Sequence, residues 1–174
     1  MTFEIHSDIT NRSMAVAARA MRKVLRRKRS ILWAIFGWSV CFINALLLIP
    51  FDGEPFTLDA GTVISLLVVV MLISILLFQD RLNGMIACKN TLAGTKEYHV
   101  VFGEESYTVV TEVATSTFRY ELIDAMAESQ DYMILLMKKR FAQPLDKRTL
   151  TGGTVEECKR FLEEKTGKTF RRVK

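Results

Sequence analysis

Histidine and cysteine are scarce in this 174-residue chain, two and three residues respectively, and that scarcity removes most metal and redox chemistry from consideration. A protein metal site draws three or four convergent ligands. His6 and His99 both fall in strand-like text and can meet across a sheet, but no acid or thiol is spaced to join them. Cys41, Cys88 and Cys158 contain no C-x-x-C pair and are odd in number, which leaves neither a redox motif nor a disulfide framework. All three read as small buried or lipid-facing residues. No phosphate-cradling glycine loop of the G-x-x-x-x-G-K-[ST] or G-x-G-x-x-G kind is present. No G-x-S-x-G elbow is present either, so nucleotide and α/β-hydrolase chemistry lack their usual carriers. The pair Gly152-Gly153, ahead of a helix start, resembles a phosphate cradle only superficially; a turn into the cap is its ordinary use. The carboxylate pairs Glu104-Glu105, Glu156-Glu157 and Glu163-Glu164 lie at turns or on a wet helix face, where general acid–base work has no desolvated partner. The expectation is a protein without cofactor and without catalytic residues.

The most informative shortage is of charge. Ile31 to Ile49 and Ala60 to Gln79 contain no Asp, Glu, Lys or Arg. About twenty apolar residues in a helix cross a bilayer core of about 30 Å, and a helix satisfies its own backbone hydrogen bonds within one segment. The expected organisation is therefore a transmembrane hairpin, with helices over 31–50 and 60–79 and an extracytoplasmic loop over 51–59. A signal peptide fits poorly, because the run is long, lies well inside the chain and ends in Pro50-Phe51-Asp52-Gly53, not a small-x-small site. The absence of ionisable residues inside the runs also argues against ion or proton transport. Asn44 is the one strong hydrogen-bonding side chain at lipid depth. It is the candidate intramembrane contact, across the hairpin or to a second copy, with Gly37 and Ser39 allowing close approach.

Charge reappears at the flanks with a consistent sign. Arg12, Arg19, Arg22, Lys23, Arg26, Arg27, Lys28 and Arg29 precede the first run; Asp52, Glu54 and Asp59 mark the link; Arg81, Lys89 and Lys96 follow the second. Basic flanks stay on the cytoplasmic side, so both termini are expected there. The block Arg26-Arg27-Lys28-Arg29 touches the membrane face, where each cation near an anionic leaflet contributes about 1 kcal/mol. No aromatic residue is interleaved with it, which argues against nucleic acid.

Outside the apolar runs the text changes period. Residues 1–8 alternate Phe3 and Ile5 with polar neighbours, as a strand joining a sheet would. Residues 10–30 read as a basic helix running straight into the first span, and 80–94 as a helical extension of the second. From 96 to 174 the chain reads as a cytoplasmic domain. Strands are expected at 97–102, 106–113, 115–120, 132–137 and 141–145, with turns of Gly, Asp, Ser or basic residues between them. Thr154 and Glu157 form a capping box opening an amphipathic helix that carries Val155, Cys158, Phe161 and Leu162 on one face. Gly167 ends that helix, and the basic tail 168–174 reads as mobile. The fold class expected is α+β: a two-helix hairpin with cytoplasmic extensions, followed by a small antiparallel sheet closed by a C-terminal helix.

This order resembles the YcxB-like membrane proteins of bacteria. The resemblance is carried by Phe102-Gly103-Glu104-Glu105 opening a strand pair and by the aromatic stretch Thr117 to Ile123. It continues through Tyr132 to Leu136 ahead of Lys139 to Leu145, and through the closing helix Glu157 to Lys165. Lys138-Lys139-Arg140 departs from the family's Pro-Lys at this place. The resemblance implies a pleckstrin-homology-like domain on the inner face of the bacterial cytoplasmic membrane, and it brings no catalytic residues. The function expected is that of a membrane-anchored interaction protein meeting anionic headgroups or a protein partner. The candidate surfaces are Arg26 to Arg29 and Lys138, Lys139 and Arg140, and self-association is a further possibility. Immunity against a membrane-active peptide and an enzyme with an unrecognised site are the alternatives.

Overall fold

The computed structural model describes residues 2–47, 60–137 and 141–173. The chain divides into two compact units, Met1–Arg26 with Asp80–Lys174, and Arg27–Gln79.

The first unit is built from two four-stranded sheets. β1 (Phe3–Asp8), β2 (Glu97–Phe102), β3 (Ser106–Thr111) and β4 (Thr115–Arg119) pair antiparallel in that order. The second sheet runs β7 (Phe141–Asp146), β6 (Tyr132–Met137), β5 (Ile123–Glu128) and β8 (Phe170–Arg172). The β5–β8 pair in it is parallel. The Asp146 amide donates to Ser7 Oγ at 2.9 Å, joining the two sheets at their edges. Alternate side chains of a strand point to opposite faces, and β6, YMILLM, is buried on both. Met133, Leu135 and Met137 enter the main core with Phe3, Val100 and Leu162. Tyr132, Ile134 and Leu136 face the opposite way, into a cluster closed by Ala17 and Ala20. Those two alanines belong to α1 (Asn11–Ala20), which is capped by Thr10 and Ser13. Helix α4 (Val155–Thr166) closes the main core with Cys158 and Leu162, and its Thr154–Glu157 capping box and left-handed Gly167 stop are those the sequence predicts.

Gly152 shows what the glycine pair before α4 is for. Its φ is +86°, and a Cβ there would lie 2.2 Å from the Thr2 carbonyl oxygen. The pair packs against the start of β1.

The second unit contains α2 (Arg27–Leu47) and most of α3 (Ala60–Lys89). Both are long and apolar enough to cross a membrane, with mean hydropathies of 1.4 and 2.8. They approach closely at Gly37, where a Cβ would meet Leu76 Cδ2 at 3.0 Å.

The α+β class, the two long apolar helices and the antiparallel pairing agree with expectation; four details differ. The helix expected unbroken over 10–30 opens into a π-helical turn at Met21–Leu25 and breaks at Arg26 (φ −111°, ψ 23°). The Arg26 amide reaches back five residues to the Met21 carbonyl at 3.1 Å. A π turn inserts one extra residue and shifts the phase of everything after it, so no periodicity could run through. One small sheet was expected and two are found. β5 was not anticipated, because a register shift between Ile123 and Ala125 spoils its period-two pattern. The basic tail is not loose: Phe170–Arg172 pairs with β5, and the Val173 amide donates to the Glu128 carbonyl at 2.7 Å.

Candidate functional site

Asp80 is the first charged residue after the second apolar run, and it is buried. A buried carboxylate needs partners, and α1 with its π turn supplies them. Arg22 grips Asp80 two-pronged, Nε to Oδ1 at 2.8 Å and Nη2 to Oδ2 at 2.5 Å, and Arg19 Nε stands 3.4 Å from Oδ2. The Asp80 hydrogen bond raises the Arg22 pKa further above its ordinary value, against the opposing effect of burial. One helical turn on, Gly84 lets α3 touch α1 backbone to backbone: a Cβ there would lie 2.4 Å from the Ala15 nitrogen. From sequence alone Arg19 and Arg22 read only as topology charges, and Asp80 has no assigned role. Its signal was a lone acid in an otherwise basic flank.

Beside α1 lies a polar cleft of about 810 Å³, whose charged wall consists of Arg12, Arg19, Lys147 and Arg172 against Glu128 and Asp131. Both acids are engaged. Arg12 Nη2 is 2.5 Å from Asp131 Oδ2. Glu128 receives Lys147 Nζ at 2.6 Å and Lys159 Nζ at 2.7 Å. Burial on its own pushes the Glu128 carboxyl up, but the two lysines outweigh it and hold the group below its usual range. Asp146 is held low chiefly by its hydrogen bond to Arg148. The cleft thus carries more cations than acids and contains no unengaged carboxylate to act as a base.

Burial pushes the Cys158 thiol up to about 12, far from the thiolate that would make it reactive. Tyr98, Tyr107 and Tyr120 are likewise raised, mainly by burial. His6 and His99 do meet across β1 and β2, stacked with ring centroids 4.0 Å apart, and His99 Nε2 lies 3.2 Å from Glu4 Oε2. Among the described residues, no group of three or more His, Cys, Asp or Glu is placed to hold a metal ion.

Of the residues singled out from sequence, Arg26 to Arg29 and Asn44 are among the described ones. Arg26 ends the π turn, and Arg27, Lys28 and Arg29 are exposed in the first turn of α2, where no acid accompanies them. Cations at a helix N-terminus oppose the macrodipole by about 0.3–1 kcal/mol each, so these charges are not there to stabilise the helix. Lys138, Lys139 and Arg140 lie outside the described residues, on the connection between the paired residues Met137 and Phe141. The acidic loop 51–59 also lies outside them. Asn44 donates its side-chain amide to the Val40 carbonyl at 2.9 Å, one turn back on its own helix.

These features define a class: a small α+β unit on a chain with two helices of bilayer length. Residues 102–162, from the end of β2 into α4, match the family model described as YcxB-like protein. That description carries no activity. No curated protein matches the chain.

Proposed function

We propose that the protein is a membrane-anchored, non-enzymatic interaction protein. Its two apolar helices cross the bacterial cytoplasmic membrane as a hairpin, and a pleckstrin-homology-like unit stands at the cytoplasmic face, meeting anionic lipid headgroups. The observation that carries this reading is the exposure of the two helices. Only 6% of the most apolar window of α2, and none of that of α3, is buried within the protein. A soluble core helix would be covered, and an apolar surface of this extent facing water is strongly unfavourable. The exposed cations Arg27, Lys28 and Arg29 at the start of α2 suit an anionic leaflet, and the flanking charges orient both termini inward. Alkaline carbonate extraction and labelling of a C-terminal tag test the reading together. The protein is expected to stay with the membrane pellet, and the tag to resist an impermeant reagent until cells are opened. Release into the supernatant, or labelling of intact cells, overturns it.

A further inference from the structure

Two adjoining cavities of the first unit share Met14, Ala87, Phe141 and Ala142 as a common wall, and neither is lined by an acid. The first, of about 380 Å³, is overwhelmingly apolar and is also walled by Ile9, Leu92, Val109 and Pro144. The second, of about 350 Å³, brings Arg26 to its wall beside Asn83 and Arg22, the latter already paired with Asp80. Together they form a trough, greasy at one end and cationic at the other. Its rim includes Leu92 and Phe141, large apolar side chains that are 75% and 56% exposed.

The hydroxyls in the apolar cavity are already committed. Thr91 donates to the Ala87 carbonyl, Thr95 to that of Leu92, Thr111 to that of Ala114 and Tyr98 to that of Pro144. Gln143 Oε1 has no partner, but it is sealed from solvent. A peptide laid here would bring backbone N–H and C=O groups with few partners to receive them, which is costly when buried. A hydrocarbon chain needs none. Asn83 and Ala87 follow the end of the apolar run, Gln79, by four and eight positions on one continuous helix. Lipid is therefore the amphiphile closest at hand.

We propose that this trough receives one acyl chain of an anionic membrane phospholipid, its phosphate set against the exposed Arg26. The proposal rests on the membrane anchoring proposed above and adds a defined lipid site to it. The test uses the full chain in nanodiscs of phosphatidylglycerol, and separately of phosphatidylcholine, each carrying a photoactivatable group at the acyl terminus. With phosphatidylglycerol, label is expected on peptides containing Ala87 to Leu92 and Phe141 to Pro144, alongside general labelling of Ile31 to Leu47. Filling the trough with Ala142→Trp, or more gently with Ala142→Leu, is expected to reduce the trough label several-fold while the helix label persists. Arg26→Ala is expected to weaken the preference for phosphatidylglycerol. Labelled helices with an unlabelled trough, or trough label indifferent to both Ala142 variants, overturn the lipid site and leave the anchoring intact. Equal trough label from the two lipids overturns the assignment of an anionic headgroup. Loss of label from helices and trough alike overturns the anchoring and this proposal with it. In native membranes, Phe141→p-benzoylphenylalanine is expected to give a lipid-sized adduct; a polypeptide-sized adduct assigns the trough to a protein and overturns the proposal.

Discussion

Trp33, Phe36 and Phe42 in the second unit are 60%, 61% and 65% exposed, whereas Phe3, Phe102 and Tyr107 in the first are 2%, 0% and 0% exposed. The same chemistry is turned outward in one region and inward in the other. Burial of apolar area contributes roughly 25 cal/mol per Å² only when water is what is left behind. The first unit gains stability in water from its sheets and α4. Among the described residues of the second, large rings and aliphatics are mostly turned outward. Charge follows the opposite rule. In the first unit Asp80, Glu128 and Asp146 are each held by a cation, while the helices of the second are held together without ion pairs among their apolar stretches.

The contrast is broken most severely by truncating equal side chains in the two regions. Leu135→Ala empties a fully buried site and is expected to destabilise the first unit by about 2–5 kcal/mol. Leu67→Ala, on the exposed surface of α3, is expected to change that unit's stability by less than about 0.5 kcal/mol. Denaturation of the reconstituted protein, followed by hydrogen exchange in residues 97–137 for the first variant and in residues 60–79 for the second, measures both; equal effects would erase the distinction.

Asp80→Ala comes next. It leaves Arg22, half-buried at the contact between α1 and α3, without its carboxylate. The expected loss is about 2–3 kcal/mol, in the range for hydrogen bonds to charged groups. Hydrogen exchange of α1 and the π turn should accelerate, with that of β2 and β3 little changed. Slow exchange throughout α1 in the variant would show that the clamp is dispensable.

Acid titration sharpens the comparison further. Glu128 and Asp146 have pKa values lowered by folding. Their contribution is complete above the unfolded carboxylate values of about 4 and is lost as pH falls through the lower folded values. Stability of the first unit should therefore decline below about pH 4, and Glu128→Gln should flatten part of that decline. An unchanged pH profile in the variant would remove Glu128 from the account.

The smallest effect belongs to the cations of residues 138–140. Replacing Lys138, Lys139 and Arg140 together by Ala is expected to leave insertion intact. It should also reduce the thermal stabilisation that phosphatidylglycerol gives over phosphatidylcholine, each cation being worth up to about 1 kcal/mol near an anionic leaflet. An identical gain in the triple variant would take that segment out of the lipid-contacting surface.

What could be read from sequence followed from how regular each element is. β2 and β6 begin and end where the pattern puts them, because one alternates and the other is apolar throughout. The α4 boundaries were legible from Thr154, Glu157 and Gly167, whose roles are local. β5 was hidden by its bulge and by Asp124 and Glu128 among small residues. β8 was hidden because its ladder depends on a partner more than forty positions earlier, Met126 for Phe170. The Asp80 clamp was invisible for the same reason: Arg22 and Asp80 are 58 positions apart. His6 and His99, which on sequence can meet across a sheet, do so because β1 and β2 pair in register.

The pairing of β1 with β2 has a consequence for biosynthesis. Asp8 and Glu97 are partners, yet both apolar helices are translated between them. At roughly 5–20 residues per second, the ribosome needs some seconds to deliver β2 after β1 has emerged. Throughout that interval the first strand has no ladder to join, and its Phe3 and Ile5 wait uncovered. Both apolar helices must be made before the first sheet can close, so the order of manufacture runs opposite to the order of contact: the earliest residues made are among the last to be seated.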